Sequence, residues 1–162
     1  MPDKTEVTGR KQTAMKAPPV IRPVVAADRA AWDVLWAGYL AFYKVELTKE
    51  IFDATFDRIL SGTFMGLIAE DAQGRALGIA IAHLHPGTWV VKPLCYLEDL
   101  YVSEEARGLG VGRALIVALV TRGRKEGWAK IYWQTARDNV LAQKLYDKLA
   151  QKTDWLRYDL GL

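Results

Sequence analysis

Between Trp32 and Tyr43 apolar residues recur at spacings of three and four (Trp32, Leu35, Trp36, Tyr39, Leu40, Tyr43), one face of an α-helix, and Asp28 stands where it can cap the start. Thr48 precedes a second such pattern, Ile51, Phe52, Thr55, Phe56, Ile59 and Leu60, closed by Ser61-Gly62. The period then changes. Phe64–Glu70 and Ala76–Leu84 are short apolar runs joined through Asp71-Ala72-Gln73-Gly74-Arg75, a hairpin signal, and His85-Pro86-Gly87 ends the second run. Leu94–Val102 predicts a third, longer strand. Gly110–Glu126 predicts an apolar helix with Arg122, Arg124 and Lys125 in its last turn and Gly127 past its end, as the helix dipole and C-cap favour. Ile131–Thr135 reads as a strand, and Asn139–Gln151 as a helix with Leu141, Ala142, Leu145, Tyr146 and Leu149 on one stripe. Trp155–Leu160 reads as a last strand. Ahead of all these, Val20-Ile21-Arg22-Pro23-Val24 predicts a first strand, confined to a sheet edge by its proline. The order is strand, two helices, three strands, helix, strand, helix, strand. That is α/β with a mixed sheet, not a regularly wound one.

Composition narrows the setting. The 162 residues suit one domain, and half are hydrophobic, as in ordinary globular chains. No run approaches the ~18 apolar residues of a membrane span, and the N-terminus lacks a signal peptide's apolar core. A lone cysteine, Cys95, excludes an internal disulfide; with only His83 and His85 beside it no zinc site is expected, and it reads as a small core residue. A cytoplasmic protein is the expectation. Residues 1–19 are polar, carry Gly9, Pro18 and Pro19, and read as a flexible arm before a domain over 20–162. The arm's Lys4, Arg10, Lys11 and Lys16, against Asp3 and Glu6, supply two of the net three positive charges. The remainder is nearly neutral. No concentrated basic face is left for nucleic acid.

Arg107-Gly108-Leu109-Gly110-Val111-Gly112 lies between a predicted strand and a predicted helix. Glycines let backbone N–H groups approach an anion, and a helix N-terminus adds partial positive charge, so such a loop suits a pyrophosphate. A tight turn is the plainer alternative. A dinucleotide loop is disfavoured: counted from Gly108 its last glycine is replaced by Arg113, and the next strand ends Trp133-Gln134-Thr135 with no acidic residue. The Gly-Lys-Ser/Thr of nucleoside triphosphatases is missing as well.

The loop does match R/Q-x-x-G-x-G/A through Arg107, Gly110 and Gly112, and here the chain resembles the GCN5-related N-acetyltransferases (GNAT), whose coenzyme A signature this is. Tyr96-Leu97-Glu98-Asp99-Leu100-Tyr101-Val102 resembles their central strand, and Asn139-x-x-Ala142-x-x-Leu145-Tyr146 their second motif. The similarity spans roughly residues 20–160. Tyr-Leu-Glu-Asp-Leu is most like the diamine acetyltransferases. Leu145-Tyr146-Asp147-Lys148-Leu149-Ala150 with Lys152-Thr153-Asp154 is most like the fungal histone, polyamine and D-amino-acid branch. Ala150-Gln151 departs from the Gly-Phe pair of many relatives.

The resemblance implies a mostly antiparallel mixed sheet with a splayed central strand pair, acetyl-CoA as co-substrate, and no metal. Backbone groups of Leu100, Tyr101 and Val102 would pair with the pantetheine arm. Arg107, Gly108, Leu109, Gly110, Val111, Gly112 and Arg113 would hold the pyrophosphate, and Asn139 and Tyr146 would touch the coenzyme. Tyr146 would be the general acid. Glu98 is the candidate base, directly or through one water, with Asp99 next; Glu98, Asp99 and Glu46 would contact the amine. Each has a plainer alternative: a surface charge for Arg107 and Glu46, a cross-sheet ion pair for Glu98, a core aromatic for Tyr146, a helix cap for Asn139. Trp32, Trp36, Tyr39, Phe42 and Tyr43 would wall the acceptor pocket, most of them as core. The expected acceptor is a small-molecule primary amine, a polyamine or amino acid. A protein acetyltransferase and a non-catalytic coenzyme A-binding module are the alternatives. A homodimer is expected, covering the apolar C-terminal strand; no nucleic acid or membrane is.

Overall fold

The computed structural model describes residues 17–162, so all but the last three residues of the expected N-terminal arm lie outside the described residues. Five strands form one sheet in chain order: β1 (Val20–Pro23), β2 (Met65–Glu70), β3 (Ala76–Gly87), β4 (Val90–Val102) and β5 (Lys130–Tyr132). The first four are antiparallel neighbours; β4 and β5 run parallel. Helices α1 (Arg29–Phe42) and α2 (Lys49–Leu60) cover one face, α3 (Val111–Glu126) the other, and the short α4 (Val140–Tyr146) follows β5. Among the described residues no helix is long and apolar enough to cross a membrane.

Strand alternation splits the core in two. Ile68, Ile79 and Ile81 face α1 and α2, where Trp32 and Trp36 stack at 4.8 Å between ring centroids. Leu67, Ala69, Leu77, Ala80, Ala82, Cys95 and Leu97 face Leu115, Ile116 and Leu119 of α3. Burial pushes the Cys95 thiol up to about 11, so it stays protonated within that core.

Asp28 stands at the cap position of α1 but does not cap it. Its carboxylate accepts the Val25 N–H at 2.7 Å and both terminal guanidinium nitrogens of Arg22, at 2.7 Å each. Arg22 also bonds Glu70 through Nε at 2.9 Å, which ties edge strand β1 to β2. The bonds from Arg22 hold the Asp28 carboxyl below the usual carboxylate range. At the other end of α1, Lys44 (φ 56) is left-handed, Val45 N–H reaches Leu40 O at 3.0 Å and Lys44 N–H reaches Ala41 O at 3.1 Å. That is the Schellman closure, and it turns Tyr43 toward the site described below.

Three expectations change. The β3–β4 hairpin is longer than the sequence suggested: β3 continues through Gly87 because Pro86 falls at a register irregularity between His85 and Gly87, where no ladder donor is needed. Helix α4 ends at Tyr146, and single turns carry the chain on to Ala150. Trp155–Leu160 forms no strand; all of residues 151–162 are exposed. An alternating apolar pattern favours a strand only where an edge is available to pair with, and among the described residues this tail makes no backbone ladder.

Candidate active site

Strand β4 has two neighbours only in its middle. Leu94, Cys95 and Tyr96 pair with Lys130, Ile131 and Tyr132 of β5. Beyond Tyr96 the pairing to β5 stops, while on the other side Leu100, Tyr101 and Val102 remain bonded opposite Ala80, Ile79 and Gly78 of β3. Backbone N–H and C=O groups need partners. The free side of Leu97–Val102 is therefore an open edge inside the sheet, able to take an extended amide-bearing chain as a pseudo-strand. Leu100 and Val102 pack toward α3, and Tyr101 packs toward α1.

At that opening the β3–β4 ladder slips by one residue: Ile81 pairs with Asp99 and Ala82 with Leu97, leaving Glu98 unpaired as a β-bulge. The bulge spares an apolar strand from burying both carboxylates. Glu98 is exposed, its carboxylate 3.7 Å from His83 Nδ1. Asp99 is half-buried, toward α1. Burial pushes its carboxyl up to about 6, against the lowering effect of Tyr39 and Trp36 and with a further raising effect from Glu98. Among the described residues Trp36 Nε1 is buried without a hydrogen-bond partner and no cation pairs with Asp99. A carboxyl raised in the folded state holds its proton longer than in the unfolded chain, so stability falls as pH rises from about 4 to about 6 and stays lower above. Asp99→Asn should therefore gain on the order of 2 kcal/mol over the natural protein at pH 8 and almost nothing at pH 4, read by urea denaturation. An equal change at both values would contradict the buried charge.

Below the opening, the loop after β4 reaches α3. Gly108 (φ 79) and Gly110 (φ 85) are left-handed, which only glycine adopts at little cost. Gly110 caps α3 with no side-chain bond, and among the described residues no backbone partner takes the N–H of Gly108 or Gly110. With the free N–H groups of the first turn, Val111, Gly112 and Arg113, this makes a set of unpaired donors on a positive helix end. The chemistry of that set fits a pyrophosphate. A Cβ at Gly112 would meet Leu145 Cδ2 at 3.4 Å, ordinary contact, so this glycine brings α3 close to α4 and is not forced by a clash.

Tyr146, on α4, packs edge-on against Trp133 at 5.3 Å between ring centroids. Burial, and then the nearby Tyr43, push its phenol up to about 12. Tyr43 also stacks edge-on with Tyr39 at 5.1 Å, and Tyr39, raised by burial and then by Asp99, feels Glu98 as well. A chain of phenols thus runs from the bulge carboxylates to α4.

These features recur in known proteins. The family model described as Acetyltransferase (GNAT) family matches residues 29–150. The D-amino-acid N-acetyltransferase HPA3 of Saccharomyces cerevisiae is 38% identical over 142 residues, 86% of this chain and 88% of that one. The chain belongs to the GNAT family of acetyltransferases. An aminoglycoside N(6')-acetyltransferase of Stenotrophomonas maltophilia is 29% identical over 76% of this chain and 80% of its own length. Among solved structures, AAC(6')-Iy in complex with the bisubstrate analogue CoA-S-monomethyl-acetylneamine superposes with a TM-score of 0.78 at 21% identity, covering 90% of this chain and 99% of that one. The shared fold is the mixed sheet with its parted central strands.

Within this acetyltransferase the expected site residues fall into groups. Glu98, Asp99 and Tyr146 border one region with Tyr39 and Tyr43. Arg107 is packed at the other side of the loop. Its Nε donates to Val102 O at 3.4 Å, it pairs with Glu104 at 3.5 Å, and its guanidinium lies over Phe42 and Tyr101, 5.7 and 5.9 Å from the ring centroids. Leu109 and Val111 pack against the α3-side core, and Arg113 is exposed. Asn139 is taken up structurally, accepting from Ala142 N–H at 3.3 Å and donating to Thr135 Oγ1 at 3.2 Å. Glu46 is exposed in the connector before α2, with no charged partner at bonding distance among the described residues. Sequence reasoning missed His83, His85, Tyr96 and Tyr132 as a group. His83 sits opposite Tyr96 across the ladder, and His85 Nε2 bonds the Tyr132 hydroxyl at 2.8 Å. The alternation of His83 and His85 was visible; which strands face them was not.

Proposed function

We propose that this acetyltransferase moves the acetyl group of acetyl-CoA directly onto the primary amine of a small cationic molecule, a polyamine or an amino acid. The observation that carries the reading is the bulge that sets Glu98 and Asp99 beside the open edge of β4. The loop donors from Gly108 to Arg113 would hold the pyrophosphate and the free edge of Leu100–Val102 the amide arm. That leaves the thioester end beside the carboxylates.

A primary amine titrates near 10.4, so about one in a thousand is neutral at pH 7. The ammonium is drawn by Glu98 and Asp99 and gives up a proton to Glu98, directly or through one intervening group. The free nitrogen attacks the acetyl carbon; the C–N bond forms, the C–S bond breaks, the departing thiolate takes the Tyr146 proton, and the surplus proton shed by the nitrogen as the amide forms restores the phenol through solvent. Burial serves this last step by keeping the phenol protonated at working pH. A small acceptor also agrees with the two relatives named for D-amino acids and for aminoglycosides. A comparison of kcat/KM for spermidine, D-amino acids and a histone-tail peptide in one buffer tests this. A free amine should be best; a peptide preference of tenfold, about 1.4 kcal/mol in transition-state binding, would overturn it.

The working unit in this proposal is a homodimer. The tail exposes Trp155, Leu156, Tyr158 and Leu160, each at least 68% accessible, and alternates Leu156, Tyr158, Leu160 and Leu162 against Arg157 and Asp159. The outer side of β5 is unpaired among the described residues, so the tail of a second copy has both an apolar face and a ladder to add. Light scattering at micromolar concentration should give twice 18.2 kDa; a stable monomer there would refute it. The lone buried thiol of Cys95 suits a reducing, cytoplasmic setting.

A further inference from the structure

The proposed reaction leaves one group at the bulge without a task. His83 stands on β3 opposite Tyr96, on the face that continues from Ile79 and Ile81 toward α1 and α2. Its ring is held between Phe64, at 5.8 Å between centroids, and Tyr96, at 5.6 Å, with His85 at 6.1 Å. Nδ1 is buried and has no hydrogen-bond partner among the described residues, and the atom it faces is Glu98 Oε2 at 3.7 Å. A buried polar nitrogen left unpaired is costly. The side chain as a whole is 30% accessible, so the ring presents its other edge outward while the Nδ1 edge is closed. An imidazole whose inner nitrogen faces a carboxylate and whose outer nitrogen is free is the arrangement of a general base with its orienting acid.

We propose that His83 is the proton acceptor of the acetyl transfer and that Glu98 is its positioning carboxylate. The inference rests on the transfer reading above and names the intervening group between amine and Glu98. Nδ1 keeps its proton toward Glu98, which fixes the tautomer and leaves the Nε2 lone pair for the ammonium. The acceptor's proton moves to Nε2, the amine nitrogen forms the C–N bond as the C–S bond breaks, Tyr146 protonates the thiolate, and the imidazolium is stabilised across the pair by Glu98. The second proton on the nitrogen, shed as the amide forms, passes through solvent to the Tyr146 phenolate, and His83 returns the first to solvent, so the cycle balances with no further reactant. The bulge is what makes the pair. In a regular ladder running back from Asp99 opposite Ile81, Glu98 would pair with Ala82 on the α3 side; the extra residue instead leaves it outside the ladder, with its carboxylate 3.7 Å from His83 Nδ1.

The titratable groups facing this pair are Tyr96 and Asp99 on β4, His85 on β3, Tyr132 on β5 and, from the tail, Arg157. His85 is engaged by the Tyr132 hydroxyl at 2.8 Å and Arg157 by Asp159 and Gln134, at 2.7 and 2.9 Å, so neither competes for Nε2 of His83. Tyr96 is raised by burial and then by Glu98, and stays a neutral wall.

The test has two arms on the full-length protein. Long-range ¹H–¹⁵N spectra identify the tautomer of neutral His83, whatever the acceptor proves to be. The expected result is the Nδ1–H form, with that preference reduced in Glu98→Gln, whose side-chain amide can donate as well as accept. An Nε2–H form, or a preference unchanged in E98Q, overturns the pair. In the kinetic arm, His83→Gln should lose about a hundredfold in kcat/KM with acetyl-CoA binding unchanged, and added imidazole should restore part of the loss in His83→Ala. In E98Q the acid limb of the kcat/KM profile should persist. If that limb vanishes in E98Q while H83Q retains it, Glu98 alone is the base. If the natural protein releases thiol with no amine at all, the transfer reading fails, and the spectroscopic arm still decides whether the pair exists.

Discussion

Tyr146→Phe will bind acetyl-CoA as the natural protein does and turn over about a hundredfold more slowly, within the roughly 10²–10⁴ that general acid–base catalysis supplies. The substitution removes one hydroxyl from a half-buried ring whose packing on Trp133 and the α3-side core is otherwise kept, so the fold and the coenzyme contacts should survive. What disappears is the proton for the thiolate. Because burial holds the phenol at about 12, the tyrosine is a donor across the whole accessible range, and the loss should not depend on pH between about 6 and 9. That flatness separates it from any variant of the proton-accepting group, whose effect follows the acid limb. Steady-state kinetics with calorimetric acetyl-CoA binding check both halves. Unchanged turnover in a folded variant would reduce Tyr146 to a core aromatic.

Gly110→Val is the larger effect on binding. Gly110 has φ 85, and an L residue pays about 1–2 kcal/mol to stay left-handed, more when β-branched. Nothing lies within 4 Å of a Cβ built there, so the strain comes from the backbone and not from a clash. Relaxing it rotates the peptide groups around residue 110 and disperses the donors that converge at the start of α3. Hydrogen bonds to a charged group are worth about 1.5–3 kcal/mol each, so losing two weakens acetyl-CoA by more than about a hundredfold. Gly62→Val is the control: Gly62 is also left-handed, φ 81, with nothing within 4 Å, and it lies in the turn after α2. It should cost similar stability and leave calorimetric binding intact. Equal binding losses in the two variants would mean the glycine loop has no special part.

The glycine loop proposed to hold the coenzyme was legible in the chain because it is local. Arg107 to Gly112 lie within six positions of one another, and a left-handed glycine ahead of an apolar helix is a statement about consecutive dihedral angles. Seven of the nine main elements could be placed to within a few residues for the same reason. The misplacements came where pairing decides: Pro86 is tolerated because a ladder irregularity falls on it, and Trp155–Leu160 has the alternation of a strand yet joins no ladder among the described residues.

Sequence alone determined the periodicities, the glycine loop, the acidic pair in an apolar strand and the tyrosine seven residues after Asn139, all set by neighbours along the chain. Which carboxylate is buried was left to the tertiary structure. The slip between Ile81–Ala82 and Asp99–Leu97 sends Asp99 under α1, to be raised by desolvation, and puts Glu98 outside, next to a histidine fifteen residues earlier. A bulge is a property of two strands in register, and burial is a property of what packs over them. Neither is written in the order of residues on one strand, and for that reason His83 could be seen as a partner of Glu98 only once β3 and β4 were side by side.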